Sequence, residues 1–171
     1  MSAPAGAASG AVPSAHSALR WLPLTAIVIA LDQWSKTWIE RNFELFESVA
    51  IWPILDITRV HNAGAAFSFL AGAGGWQRWF FTALAIVVSG AILWWMRGIH
   101  ARAQRWLTIG LALILGGAIG NVIDRVRFGH VIDFVHAHWN AAYFPAFNVA
   151  DAAITVGAAC VIIDALVAAR R

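Results

Sequence analysis

The sequence predicts an all-α integral membrane protein with four transmembrane helices, plus short strands and a short interfacial helix on the outer side of the bilayer. Three observations carry this. Of 171 residues, 60% are hydrophobic and 12% charged, about half the charged share of an average soluble domain. Four apolar runs each approach the ~20 residues that a helix needs to cross ~30 Å of hydrocarbon. Ten tryptophans stand against a single lysine, as suits a chain with several membrane–water interfaces where indole rings anchor.

Residues 1–18 are Ala, Gly, Ser and Pro almost without charge. They lack the basic start and compact apolar centre of a signal peptide, so they are expected to form a disordered tail before one membrane domain, 19–171. The first helix covers about 19–39, interrupted by Asp32, Gln33 and Lys36. Residues 49–70 alternate Ile51, Ile54, Ile57 and Val60 around a break at Pro53. That pattern predicts short strands at the outer surface and then a Gly-Ala turn. The second helix, about 79–96, has no charge. The third, about 106–123, carries Gly116, Gly117 and Gly120 as a small-residue face for close packing. Residues 125–145 mix Val, Ile, Phe, His and Trp, which predicts a short interfacial helix. The fourth helix covers about 147–169.

Twelve basic residues against nine acidic ones give a net charge of +3, and all but one of the basic residues are arginine. The connection 97–105 holds Arg97, Arg102 and Arg105 without an acid, and shares its side with Arg20, Arg170 and Arg171. The segments on the other side mix signs, so the positive-inside rule places both termini in the cytoplasm. The basic excess thus speaks of loop orientation and membrane lipids; no nucleic-acid motif accompanies it. The single cysteine, Cys160, cannot form an internal disulfide.

An ionisable side chain at the centre of a membrane span costs on the order of 3 kcal/mol unless paired or hydrated. Asp32, Asp124, Asp151 and Asp164 all fall in or beside the spans, with Asp133 in the outer segment. Asp32 and Lys36, at i and i+4, have the favourable order for an ion pair anchoring the first helix. Asp124, next to Arg125, reads as a charge-paired helix end. Asp164 reads as a group reaching water or the terminal arginines. Asp151 lies one turn inside the fourth helix on the face of Asn148, and Asp133 stands in the apolar setting GHVIDFVH. If the connecting segment folds back, these two carboxylates meet at the outer interface. Two such acids share one proton, so one draws a proton from water while the other donates to a carbonyl oxygen. Neither a metal nor a covalent intermediate is required.

Asn62 and Asn121 would bury amides that need partners, and Arg125 offers a planar fork for a carbonyl or carboxylate. HExxH, GxSG and GxGD are absent. Ser35 and Lys36 are adjacent on a helix and point apart, so they form no nucleophilic dyad. His130, His136 and His138 supply only a sparse metal-ligand pattern.

Taken in order, LDQWSK, HNAGAAFSFL, GGAIGNVIDRVRFGHVIDF and FPAFNVADAAITVGA closely resemble the blocks of the bacterial lipoprotein signal peptidase (signal peptidase II) family, over about residues 20–168. The resemblance implies a four-helix inner-membrane aspartic peptidase with a small extracytoplasmic β-rich cradle. It implies Asp133 and Asp151 as the catalytic pair. Asn62, Asn121, Arg125 and Asn148 would bind substrate or inhibitor, and Asp32, Lys36, Gly64 and Asp124 would support the site. The implied substrates are prolipoprotein precursors with diacylglycerol on the lipobox cysteine, cut on its amino side. Globomycin-type inhibitors would occupy the same site, near the periplasmic face. The chain would act as a monomer among membrane lipids, with no cofactor, metal or nucleic acid. Ala152 replaces a serine often seen after the second aspartate, and VHAHWN varies a loop; both touch only details of substrate contact.

Two other classes fit less well. A proton-coupled transporter would set its acids near the midplane between repeats, whereas these gather at one end and no repeat is visible. A non-catalytic scaffold leaves the converging polar residues unexplained.

Overall fold

Four long helices and a four-stranded antiparallel sheet form the computed structural model, which describes residues 17–64, 75–140 and 142–170. In chain order these are α1 (Leu22–Asn42), β1 (Ser48–Trp52), β2 (Leu55–Asn62), α2 (Trp76–Gly98), α3 (Arg105–Phe128), β3 (Val131–Trp139), β4 (Ala142–Tyr143) and α4 (Val149–Ala168). A 3-10 turn, Ala18–Trp21, precedes α1. Residues 1–16 of the expected tail lie outside the described residues. Ser17 and Ala18 are buried: Ser17 Oγ donates to the Met96 carbonyl at 3.2 Å and the Ala18 N–H to that of Ile99 at 3.1 Å.

Each apolar run is a helix. Among the described residues α2, α3 and α4 are long and apolar enough to cross a membrane. α1 is 21 residues long, but Asp32, Gln33 and Lys36 interrupt its apolar run. α3 is the axis of the bundle, touched by α1, α2 and most extensively α4. Its glycines divide between two neighbours. Gly116 and Gly120 lie against Val28 and Asp32 of α1, whereas Gly110 and Gly117 lie against Gly157 and Ala150 of α4. Small residues four apart let helices approach closely where lipid gives no hydrophobic drive. A Cβ at Gly117 would overlap the Ala150 carbonyl, and Ala150 cannot drift because its N–H is bonded to Asp32. Gly117→Ala is therefore expected to destabilise by about 1–3 kcal/mol through overpacking. Thermal unfolding in detergent would read this, and an unchanged melting temperature would refute the close approach.

The strands of 49–70 pair as a hairpin across Pro53 and Ile54, in the sheet order β1-β2-β3-β4. The Gly-Ala turn falls mostly on residues 65–70, outside those described. The expected interfacial helix in 125–145 is not there. α3 runs on to Phe128, stops at Gly129 (φ 85°) with its N–H on the Arg125 carbonyl, and β3 follows. Glycine takes this left-handed helix end without a Cβ penalty. The β-branched and aromatic alternation of Val131–Trp139 then finds an edge to join in β2, with Val60 opposite Asp133 and Asn62 opposite Val131. Arg59 of β2 ties the sheet to α1, its Nη1 donating to the carbonyls of Phe43 (2.9 Å) and Glu40 (3.2 Å) and so satisfying the helix C-terminus.

Two apolar clusters bracket the bundle: Met96, Ile99, Leu107, Leu111 and Leu115 at one end, Ile39, Ile132 and Phe134 beneath the sheet. Between them, along α1 and α3, lies a polar layer.

Candidate active site

Asp133 and Asp151 come from different elements and meet through one residue. Asn148 is the N-cap of α4 and is fully buried. Its side-chain oxygen accepts from the Asp151 N–H at 2.9 Å, while Asp151 Oδ2 accepts from the Asn148 N–H at 3.3 Å. This reciprocal pair is a capping box. It places the Asp151 carboxylate at a helix N-terminus, where oriented N–H groups complement negative charge. The Asn148 amide then crosses to the sheet, donating to Asp133 Oδ1 at 2.7 Å. The other Asp133 oxygen accepts from Asn62 Nδ2 at 2.9 Å. Asn62 is held in turn, because its Oδ1 accepts from the Gly64 N–H at 2.9 Å. Gly64 has φ +97° and faces the Phe81 ring, a conformation and space that favour glycine.

Asn121 of α3 completes the layer. Its Nδ2 donates to Asp151 Oδ1 at 2.8 Å, and its Oδ1 accepts from Lys36 Nζ at 2.9 Å and from Asn148 Nδ2 at 3.2 Å. Lys36 also pairs with Asp32 at 2.9 Å and Asp124 at 2.8 Å, with relative exposures of 2%, 0% and 1% respectively. Each of these acids grips the backbone just ahead of one site aspartate. Asp32 Oδ1 accepts from the Ala150 N–H at 2.9 Å, and Asp124 Oδ2 from the Ile132 N–H at 3.3 Å. One buried cation thus stabilises the two anions that position both site carboxylates.

The reading of Asp124 as paired with Arg125 gives way here. Adjacent helical residues point apart, and Asp124 turns inward to Lys36 and to Gln33 Nε2 at 2.8 Å. Among the described residues Arg125 Nη1 reaches the Asn121 carbonyl, at 3.5 Å, and its guanidinium lies 5.6 Å from the Phe81 ring centre. Its Nε is buried without a hydrogen-bond partner among the described residues, and it feels the charges of Asp151 and Asp133. Such a donor fork beside two carboxylates suits a carbonyl ligand. Gln33 was not singled out among the site residues; the signal for it was an amide in an apolar run, which must find a partner.

Burial pushes the Asp133 carboxyl up to about 7, and the Asp151 charge adds to the rise; the donors Asn62 and Asn148 oppose it. His61 and His130 stack at 3.7 Å between ring centres, and burial followed by their mutual repulsion holds the His61 imidazole below its ordinary range. Burial likewise lowers His130. His136 and His138 lie against Tyr143, with His138 3.4 Å from Asp56. Among the described residues no three His, Cys, Asp or Glu side chains converge to hold a metal. An apolar groove of about 420 Å³ leads away from Asp151 between Phe144, Phe147, Thr155 and Val156.

The structure therefore brings together Asp133, Asp151, Asn62, Asn121 and Asn148, with Asp32, Lys36, Gly64 and Asp124 behind them and Arg125 alongside. A family model described as Signal peptidase (SPase) II matches residues 24–167. The chain is 50% identical over 151 residues to a lipoprotein signal peptidase of Shewanella woodyi, covering 88% of this chain and 85% of that relative. It is 52% identical over 149 residues to one of Alteromonas mediterranea, covering 87% and 81%. A solved bacterial membrane enzyme, determined by the in meso method, superposes with a TM-score of 0.76 at 30% identity, covering 88% of this chain and 97% of that one.

Proposed function

This chain belongs to the signal peptidase II family, and from that premise we propose that it is an intramembrane aspartic endopeptidase using Asp133 and Asp151. Its substrates are diacylglyceryl-modified prolipoproteins, cut on the amino side of the lipidated cysteine. The observation that carries the reading is Asn148, which ties Asp151 through a capping box and Asp133 through its amide. Two carboxylates coupled this closely share one proton.

With Asp133 pushed up to about 7, it holds that proton near neutrality. Asp151 takes a proton from water as the oxygen attacks the scissile carbonyl, and Asp133 gives its proton to the carbonyl oxygen. The tetrahedral diol then collapses: the C–N bond breaks as the proton on Asp151 passes to the leaving amine, and one diol hydroxyl returns its proton to Asp133, restoring the starting pair. Arg125 positions a substrate carbonyl, and the groove beside Asp151 seats an apolar part of the substrate. No cofactor takes part, and every group invoked belongs to one chain, so a monomer suffices.

On this reading α1 spans the inner membrane with α2, α3 and α4, and both termini are cytoplasmic. α4 continues 17 residues beyond Asp151, about 26 Å of helix, close to the hydrocarbon thickness. That length supports a position for the carboxylates near the periplasmic face, where water reaches a peptide that never leaves the bilayer. Globomycin-type inhibitors occupy the same position.

Purified protein in detergent is expected to cleave a diacylglyceryl-modified precursor peptide, releasing a product whose new terminus is the lipidated cysteine. Failure to cut it, or cleavage at another bond, would overturn the assignment. The rate should be bell-shaped in pH. It falls on the alkaline side as Asp133 loses its proton around pH 7, and on the acid side as the pair becomes doubly protonated and loses its base. A flat profile from about pH 5 to 8 would exclude the shared proton.

A further inference from the structure

At the end of the bundle opposite the aspartates, a cavity of about 270 Å³ is lined by Arg102, Arg105, Gln104, Trp106 and Asp164, with Val167 on its apolar side. α3 separates the two ends: Arg105 opens this helix and Asp124 lies nineteen residues on, about 28 Å away. Three charges of both signs face one hollow, yet none of Arg102, Arg105 and Asp164 joins an ion pair among the described residues. Asp164, expected to reach water or the terminal arginines, is half-buried and lines this cavity. Arg105 is steadied by the Trp106 ring, 5.6 Å from its guanidinium carbon. Gln104 makes no side-chain cap to α3, and no acid occupies that first turn.

We propose that this cavity seats the headgroup of an aminophospholipid, a phosphate diester flanked by a primary ammonium. Two arginine forks match phosphate oxygens in geometry and charge. Such basic recesses beside membrane spans are where lipid headgroups dock, and Trp106, 40% exposed, stands at the level where indoles anchor. The carboxylate decides which headgroup. Beside a purely anionic lipid Asp164 would repel; beside a zwitterion it accepts the ammonium while the arginines take the phosphate. A quaternary ammonium has no N–H to donate, so it fits less well than a primary one.

The test is native mass spectrometry of the full chain in detergent, offered phosphatidylethanolamine, phosphatidylglycerol and phosphatidylcholine with identical acyl chains. Phosphatidylethanolamine should be retained about fivefold or more above each of the others, the size of one partly exposed charge-assisted contact. Asp164→Asn should erase that preference yet keep lipid bound. Arg102→Gln with Arg105→Gln should weaken all three. Unchanged melting temperatures would show that the variants fold. Equal retention of the three lipids, a preference for phosphatidylglycerol, or a preference that survives Asp164→Asn would overturn the proposal. So would soluble phosphoethanolamine binding as tightly as the lipid, because the occupant would then not be a membrane component.

Discussion

Asp151→Asn and Asp133→Asn are each expected to lower the rate of precursor cleavage by about 10²–10⁴-fold, the contribution of a positioned acid or base. The substitution keeps side-chain size and removes the acid–base function. It does not keep the hydrogen bonds. Asp151 accepts from both Asn121 Nδ2 and the Asn148 N–H, and Asp133 from the amides of Asn62 and Asn148. An amide offers one acceptor where the carboxylate offers two, so one donor in each case meets another donor. That costs about 1–3 kcal/mol for a buried group. Cleavage must therefore be read beside melting temperature and the binding of a globomycin-type inhibitor. Loss of cleavage with fold and inhibitor binding kept would assign the chemistry to the acid pair. A variant that cuts at near the normal rate would remove its residue from the mechanism and make Asp124 the next candidate.

The helices were legible because lipid demands long apolar runs and the chain displays four of them. The segment after α3 was misread for a physical reason. Val, Ile, Phe, His and Trp in mixed order suit an amphipathic helix and a half-buried strand alike, and only pairing with β2 decides between them. A local clue existed in Gly129, a helix stop followed directly by β-branched alternation. The site divides the same way. The Asp32–Lys36 pair is local and follows from i, i+4 spacing, whereas Lys36 meets Asp124 across 88 residues of sequence, a contact that no spacing rule supplies. Asp124 was therefore assigned to its neighbour Arg125, when helix geometry turns it the other way.

Lys36→Met should be the most damaging change outside the acid pair. The methionine fills the volume of the aliphatic stem but leaves Asp32 and Asp124 buried with no cation between them. Breaking a buried ion pair from one side costs about 3–5 kcal/mol because the remaining charge stays uncompensated. The melting temperature in detergent should therefore fall by roughly 10 °C. The consequences reach further than stability. Asp32 and Asp124 hold the Ala150 and Ile132 N–H groups, immediately before Asp151 and Asp133, so a shift in either acid moves a carboxylate of the site. Lys36 also fixes the Asn121 amide by donating to its oxygen, leaving the nitrogen for Asp151. Cleavage should then drop even at temperatures where the variant is folded. Adding Asp32→Asn and Asp124→Asn removes both orphaned charges while their side-chain oxygens can still accept the two backbone N–H groups, so much of the lost melting temperature should return. Cleavage should recover less, because nothing replaces the ammonium at Asn121. A melting temperature within about 2 °C of the parent for Lys36→Met alone, under 1 kcal/mol at this chain length, would mean that the buried carboxylates do not depend on the lysine.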